Sequence, residues 1–301
     1  MRESRLSQHS AKRVPAARAG AALAAAGVRP SKARGQNFLV QHAVANRIVD
    51  AAELARGDSV IEIGPGLGIL SERIAAHPIA RLTLVELDSR LAAGLAERFA
   101  GDRRVRVVQA DFLDVDFAAL AGQAPVKAVG NLPFSSAAAI LRKLCDNAGL
   151  ITRMVLMFQR EVAERIRARP GASDYSALSV FASLYFEIES HFRVAAGNFH
   201  PRPKVDAEVL VFAPRARALF EPSEEGRVLR TVRASFSAPR KTLRNALAHA
   251  LGLEPSRIDA ALARAAIDPG ARAEALAAAD FVALSRSLGA DLNASDRSRD
   301  A

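Results

Sequence analysis

Residues 60–70 read Val-Ile-Glu-Ile-Gly-Pro-Gly-Leu-Gly-Ile-Leu. A short β-branched run gives way to glycines at 64, 66 and 68, and helical apolar spacing resumes from Leu67 through Ile74. The pattern predicts a strand, a tight turn and a helix. Glycines at such a turn let the backbone pass close to a ligand, and the helix that follows offers unpaired N–H groups. A nucleotide-like ligand suits that place.

A dinucleotide site would require Gly-x-Gly-x-x-Gly or Ala, and the position three after Gly66 is Ile69. The pattern is instead Gly-x-Gly-x-Gly, with Glu62 two residues ahead of the first glycine. This form is seen in enzymes that use S-adenosylmethionine (SAM), where no pyrophosphate has to be cradled. The competing reading is an ordinary strand-to-helix turn without a ligand. A second buried-strand pattern, Leu82 to Asp88, carries Glu86 at its tip, 18 residues after Gly68. An ionised carboxylate there can accept hydrogen bonds from both hydroxyls of a ribose diol. Alternatively, one of Glu86 and Asp88 caps the helix that begins near Ser89.

The chain has 301 residues, enough for one large core and a smaller domain. No apolar run approaches the length of a membrane span, and the N-terminus lacks the apolar core of a secretory signal, so a soluble intracellular protein is expected. The lone cysteine, Cys145, sits in an apolar helical run and reads as a buried, inert thiol. His42, His77, His191, His200 and His249 lack metal-ligand spacing, and no metal is expected. The net charge is +10, carried as +8 in residues 1–47, +5 in residues 215–245 and −3 elsewhere. Two basic segments flanking a mildly acidic middle fit a polyanion partner, most simply RNA or DNA. The alternative is a pair of solvated basic faces.

Along the chain, residues 1–15 are polar and aperiodic and are expected to be disordered. Ala16 to Ala26 reads as an Ala-rich helix. The loop from Ser31 to Leu39 is dense in hydrogen-bonding side chains and suits a lid over a ligand; a helix follows from about Ala43 to Leu54. From Asp58 to about Leu156 strands and helices alternate, which predicts a parallel sheet covered on both faces. Further strands are expected at Val105–Gln109, Val126–Val129 and about Met154–Phe158. Polar groups stand at the C-terminal ends of the first four strands, where open parallel sheets bind ligands. Asp111, at the third of these ends, is placed to accept from an exocyclic amine such as that of adenine in SAM, or to cap a short helix.

Asn131-Leu132-Pro133-Phe134, at the end of the fourth strand, carries the chemistry. The N6 amine of adenine is a poor nucleophile because its lone pair is delocalised into the ring. The Asn131 side-chain oxygen and a backbone carbonyl, both accepting from that amine, would draw the nitrogen towards a pyramid and free the lone pair. Pro133 fixes its own φ and donates no N–H, which holds the Leu132 carbonyl in one direction. Phe134 can stack on the base and align it with the sulfonium methyl. No strong general base is needed, because the cofactor brings the electrophile. The plainer reading is a Pro-containing turn with Phe134 in the core.

With those residues in view, the chain resembles the bacterial small-subunit (16S) ribosomal RNA adenine N6-dimethyltransferase family. The likeness rests on residues 35–39 (Gly-Gln-Asn-Phe-Leu), 62–66 (Glu-Ile-Gly-Pro-Gly), 85–88 (Val-Glu-Leu-Asp), 130–134 (Gly-Asn-Leu-Pro-Phe), 199–206 and 236–245. It implies a class I, Rossmann-like SAM-dependent methyltransferase: an α/β fold on a mostly parallel seven-stranded sheet, with a smaller all-helical C-terminal domain. The implied division is a basic extension over 1–31, the methyltransferase domain over 32–213, a helical RNA-binding domain over 214–289 and a disordered tail over 290–301. It further implies that Gln36, Asn37, Leu39, Gly64, Gly66, Glu86, Asp111 and Asn131 contact SAM and that Asn131, Leu132, Pro133 and Phe134 hold the target adenine. Lys204, Arg240, Lys241 and Arg244 are then RNA contacts; the last three read as a compact patch within two turns of one helix. The implied substrate is a pair of adjacent adenines in a hairpin near the 3′ end of 16S rRNA in an assembling small subunit, acted on by a cytoplasmic monomer that uses no membrane. Two positions depart from the family pattern: Arg34 stands where many members have an apolar or aromatic residue, and Phe134 replaces the commoner Tyr, keeping the stacking face.

The rival readings are a large-subunit (23S) rRNA adenine methyltransferase of the macrolide-resistance type, and a non-catalytic assembly or transcription factor on the same fold. Residues 204–206 and 240–245 resemble the small-subunit enzyme more closely, and the intact tetrapeptide and Glu86 speak against a factor without chemistry. A hydride-transferring dehydrogenase is disfavoured by Ile69.

Overall fold

The computed structural model describes residues 20–21, 23–24, 27–31, 35–122 and 124–289. The expected disorder over 1–15, much of the Ala-rich helix, Arg34 and the tail lie outside them. Among the described residues there is no helix long and apolar enough to cross a membrane.

Unit one draws on residues 1–140, 149–160 and 190–211; unit two draws on 141–148, 161–189 and 212–301. The chain supplies β1 (Phe38–Leu39), α1 (His42–Ala51), β2 (Ser59–Ile63), α2 (Ile69–Ala75), β3 (Arg81–Glu86), α3 (Ser89–Arg98), β4 (Val105–Gln109), α4 (Phe117–Ala121), β5 (Val126–Asn131), α5 (Ala137–Asp146) and β6 (Ile151–Gln159). Then come α6 (Arg160–Ile166), α7 (Ala177–Tyr185), β7 (Phe186–Val194), β8 (Phe199–His200) and β9 (Ala207–Pro214), followed by α8 (Glu225–Ser235), α9 (Leu243–Leu251), α10 (Pro255–Arg264) and α11 (Ala278–Leu288).

Seven strands form one sheet in the order β4-β3-β2-β5-β6-β9-β7, and β1 pairs antiparallel with β8 in a separate ribbon. The pairings β4·β3, β3·β2, β2·β5 and β5·β6 are parallel. Such strands are covered on both faces, which is why β2, β3 and β6 read as near-continuous apolar runs. Their inward residues join Ile48, Val49, Ile74, Val209 and Val211 in the core of unit one. The strand order reverses between β2 and β5, and the crevice beyond their C-terminal ends is where such sheets bind ligands. Gly130 pairs with Ile63 at that reversal, and a Cβ there would stand 2.9 Å from the Ile63 carbonyl oxygen.

In unit two, apolar faces of α7 to α11 meet around Val180, Phe181, Val228, Val232, Leu247 and Phe281. The Tyr175 hydroxyl donates to the Leu276 carbonyl at 2.8 Å, so its one polar atom is satisfied inside this core. Cys145 is buried, and desolvation pushes its thiol up to about 12.

The basic patch departs from the sequence expectation. Arg240 and Lys241 are not on a helix: α9 begins at Leu243, with Thr242 as its N-cap accepting from the Asn245 N–H at 3.5 Å. Pro239 cannot sit inside a helix, so the chain turns through Arg240 and Lys241 before the cap. Arg244 does lie on α9, and its guanidinium is occupied by both oxygens of Asp259, at 2.5 and 2.8 Å.

Candidate active site

The glycine turn is built against two other segments. Gly64, Gly66 and Gly68 all have positive φ, and a Cβ on Gly66 would lie 2.8 Å from Cδ1 of Phe38. The Gly66 N–H donates to Oε2 of Glu86 at 2.9 Å, and the Asp88 N–H donates to Oε1 at 2.9 Å. Each oxygen retains a lone pair for a hydroxyl. Burial raises the Glu86 pKa, against the opposing pull of those N–H groups. Asp88, not Glu86, is the helix cap: its Oδ1 accepts from Arg90 and Leu91 of α3, at 3.0 and 3.4 Å.

A cavity of about 260 Å³ opens at the C-terminal ends of β2 to β5, lined by Gln36, Gly64, Glu86, Asp111 and Pro133 among others. Leu87, Phe112 and Ile140 give it apolar walls. Asp111 Oδ1 accepts from the Leu113 N–H at 2.9 Å, and no hydrogen bond from a described residue reaches its other oxygen. A carboxylate at the tip of β3, a carboxylate oxygen at the tip of β4 and apolar walls between them match the diol, exocyclic amine and ring faces of an adenine nucleoside.

Glu62 lies beneath this cavity and is 1% exposed; neither carboxylate oxygen has a hydrogen-bond partner. Desolvation lifts its pKa to about 8, eased by the Ser71 hydroxyl, which is near but outside hydrogen-bonding geometry, and raised further by Glu86. Burial thus favours its protonated, uncharged form.

Loop 35–39 packs onto the tetrapeptide. Asn131 Nδ2 donates to the Asn37 carbonyl at 3.0 Å, Asn37 Nδ2 donates to the Gly35 carbonyl at 3.2 Å, and the Phe134 N–H donates to the same carbonyl at 3.4 Å. A Cβ on Gly35 would stand 2.9 Å from the Ser135 nitrogen. The Leu132 N–H is held by the Met157 carbonyl at 3.2 Å, and Leu132 itself is buried. These bonds leave Asn131 Oδ1 and the Leu132 carbonyl as acceptors without a described donor.

A second cleft, about 740 Å³, runs past Phe134 and is also lined by Asn37, Gln159, Arg202, Lys204 and Val205. Among the described residues neither a carboxylate nor a histidine lines it. Gln36 and Ser135 belong to both cavities and form their common wall. Asn131, Leu132, Leu39 and Gly66 line neither: Leu39 is in the core, and Gly66 meets the site through Glu86. Arg240, Lys241 and Arg244 belong to unit two. Among the described residues no group of three or more His, Cys, Asp or Glu is placed to hold a metal ion. Sequence reasoning missed Gln159 and Ser135; the position of Gln159 as the last residue of a parallel strand was the signal available for it.

A parallel sheet with this strand order, carrying a nucleoside-shaped cavity at its reversal point, defines a class I methyltransferase that uses SAM. The chain belongs to the ribosomal RNA adenine dimethylase family, whose model matches residues 29–289. A ribosomal RNA small subunit methyltransferase A of Geobacter metallireducens is 42% identical over 266 residues, covering 87% of this chain and 96% of the relative. Among solved structures, the 23S rRNA methyltransferase ErmE superposes with a TM-score of 0.64 at 30% identity, over 84% of this chain and 99% of that one. A dimethyladenosine transferase from Plasmodium falciparum superposes with a TM-score of 0.70 over 84% of this chain and 98% of that one; at 22% identity it speaks for the fold.

Proposed function

We propose that this enzyme dimethylates N6 of two adjacent adenines in a hairpin near the 3′ end of 16S rRNA, within an assembling small subunit, as a cytoplasmic monomer. The observation that carries the choice of subunit is the 42% identity to a small-subunit methyltransferase across 96% of its length, against 30% to a large-subunit enzyme.

In this reading Glu86 grips the ribose of SAM, Asp111 accepts from its adenine amine, and Gln36, Asn37, Leu39, Gly64, Gly66 and Asn131 complete its surroundings. Bound SAM supplies a methyl group made electrophilic by the sulfonium. The protein's task is then alignment and electron release. Asn131 Oδ1 and the Leu132 carbonyl accept the two N6 hydrogens of the target adenine, which localises the nitrogen lone pair. The hydrogen bond from Asn131 Nδ2 to Asn37 supports this role, because it turns the oxygen end of the carboxamide away from that partner. Phe134 stacks on the base, which must leave its helix to reach the cleft. Lys204 supplies positive charge at the cleft, and Arg240 and Lys241 extend the phosphate contacts in the helical RNA-binding domain; Arg244 shares its charge with Asp259.

The test is transfer of labelled methyl from SAM to unmethylated small subunits, run beside large-subunit rRNA, with the modified nucleoside identified. Dimethyladenine confined to 16S rRNA is expected. Label in large-subunit rRNA would replace this reading with the resistance-type activity, and SAM binding without transfer would replace it with a non-catalytic factor.

A further inference from the structure

The cleft around Phe134 contains a polar side chain with no task so far. Gln159 ends β6, and the parallel register pairs Asn131 with Met157, so Gln159 stands one pleat beyond the neighbour of Asn131 on the same face of the sheet. Three other amide side chains surround the site, and each is tied down. Gln36 Oε1 accepts from the Ser31 N–H at 2.9 Å, Asn37 Nδ2 donates to Gly35 and Asn131 Nδ2 donates to Asn37. Gln159 is half-buried, and among the described residues its carboxamide has no hydrogen-bond partner. A half-exposed amide with no protein partner is free to exchange solvent for a ligand without breaking a bond inside the protein.

We infer that Gln159 is a specificity-determining residue that reads the target base, its Nε2–H donating to N1 or N7, the ring acceptors on either side of the N6 amine of adenine. This rests on the adenine-methylating reading above. There the two N6 hydrogens are claimed by Asn131 and Leu132, so a further contact beside C6 must go to N1 or N7, both of which are acceptors in adenine. A donor aimed at N1 rejects guanine, whose N1 carries a hydrogen, whereas a donor aimed at N7, an acceptor in both purines, rejects the pyrimidines, which lack that atom. An amide is suited to this because it donates without charge. A lysine there would be satisfied by any phosphate, and a carboxylate could not donate at all.

The test measures kcat/KM for methyl transfer to small subunits whose target positions carry adenosine, 1-deazaadenosine or 7-deazaadenosine, with wild type, Gln159→Ala and Gln159→Glu. Wild type is expected to lose about tenfold with one of the two analogues, the scale of a single hydrogen bond. Both variants are expected to lose about as much on adenosine and nothing further on that same analogue, since residue and atom would form one interaction. Glu keeps the length of the side chain, which protects the result from a collapse peculiar to Ala. SAM affinity by titration calorimetry is expected to stay within about twofold of wild type in both. Analogue penalties that persist undiminished in the variants overturn the inference alone, as does full activity of both variants on adenosine, or loss of SAM binding in both. A wild type that transfers no methyl to adenosine overturns the functional reading and this inference together.

Discussion

Replacing Glu62 by Gln should make the ligand-free protein more stable at neutral pH and flatten its response to alkali. Glu62 is 1% exposed, without a hydrogen bond, and burial raises its pKa from 4.5 to about 8. A carboxyl raised in this way binds a proton in the folded state that the unfolded state has released. Stability therefore falls as pH rises, beginning near 4.5 and levelling off above 8. At 1.36 kcal/mol per pH unit the cost reaches about 3 kcal/mol at pH 7 and about 5 kcal/mol beyond pH 8. A glutamine side chain keeps the shape, carries no charge and escapes this cost. Urea unfolding followed by circular dichroism, from pH 5 to pH 9, should show the advantage of the Glu62→Gln variant growing from roughly 1 kcal/mol at the acid end to several at the alkaline end. Parallel stability curves for the two proteins would refute the reasoning, because they would mean that Glu62 titrates as an ordinary carboxyl.

Asn131→Ala should weaken SAM binding in calorimetry by no more than about tenfold, the scale of one hydrogen bond, while turnover falls about 100- to 1,000-fold, the usual consequence of removing one preorganised polar contact to the reacting group. Phe134→Tyr should stay within about twofold of wild type, whereas Phe134→Ala should lose about 1–3 kcal/mol of base stacking, read as kcat/KM for methyl transfer. Gly66→Ala forces a side chain into positive φ and against Phe38, so thermal melting should show a loss of about 1–3 kcal/mol together with weaker SAM binding. Arg240→Ala with Lys241→Ala should lower the slope of log K against log salt for RNA binding by about two, while Arg244→Ala should lower it by less than one, because Asp259 already occupies that guanidinium.

What could be read in the sequence was what repeats with a period or obeys a strand-end rule. β4 matches the expected Val105–Gln109 although it stands at the sheet's edge with no residue fully buried; β2, β3 and β5 lie where their apolar runs stand, because parallel strands buried on both faces leave little polar alternation to confuse them. β7 escapes such a reading: Phe-Glu-Ile-Glu-Ser-His-Phe-Arg-Val lies at the end of the sheet order with most of its side chains in water, so it lacks the buried-strand pattern. The ribbon of β1 and β8 has two residues a side, too few for any period. Charge spacing alone puts Arg240 and Lys241 on a helix, and it ignores Pro239. Glu86 and Asp88 are indistinguishable as letters two residues apart; backbone N–H groups at 2.9 Å turn Glu86 towards the glycine turn and leave the cap to Asp88. Gln159 escapes because its significance lies in what it does not touch, and bonding between loops is invisible before the chain is folded.

Gln36 and Ser135 line both cavities, so the cofactor side and the base side of the site have two side chains in common. Thermodynamic linkage then binds the two ligands to each other. Whatever factor an occupied cofactor cavity adds to the affinity for a flipped base, an engaged base returns the same factor to the cofactor. For a reaction in which one nitrogen receives two methyl groups in turn, that reciprocity governs whether spent cofactor is exchanged while the RNA stays in place or only after it has left.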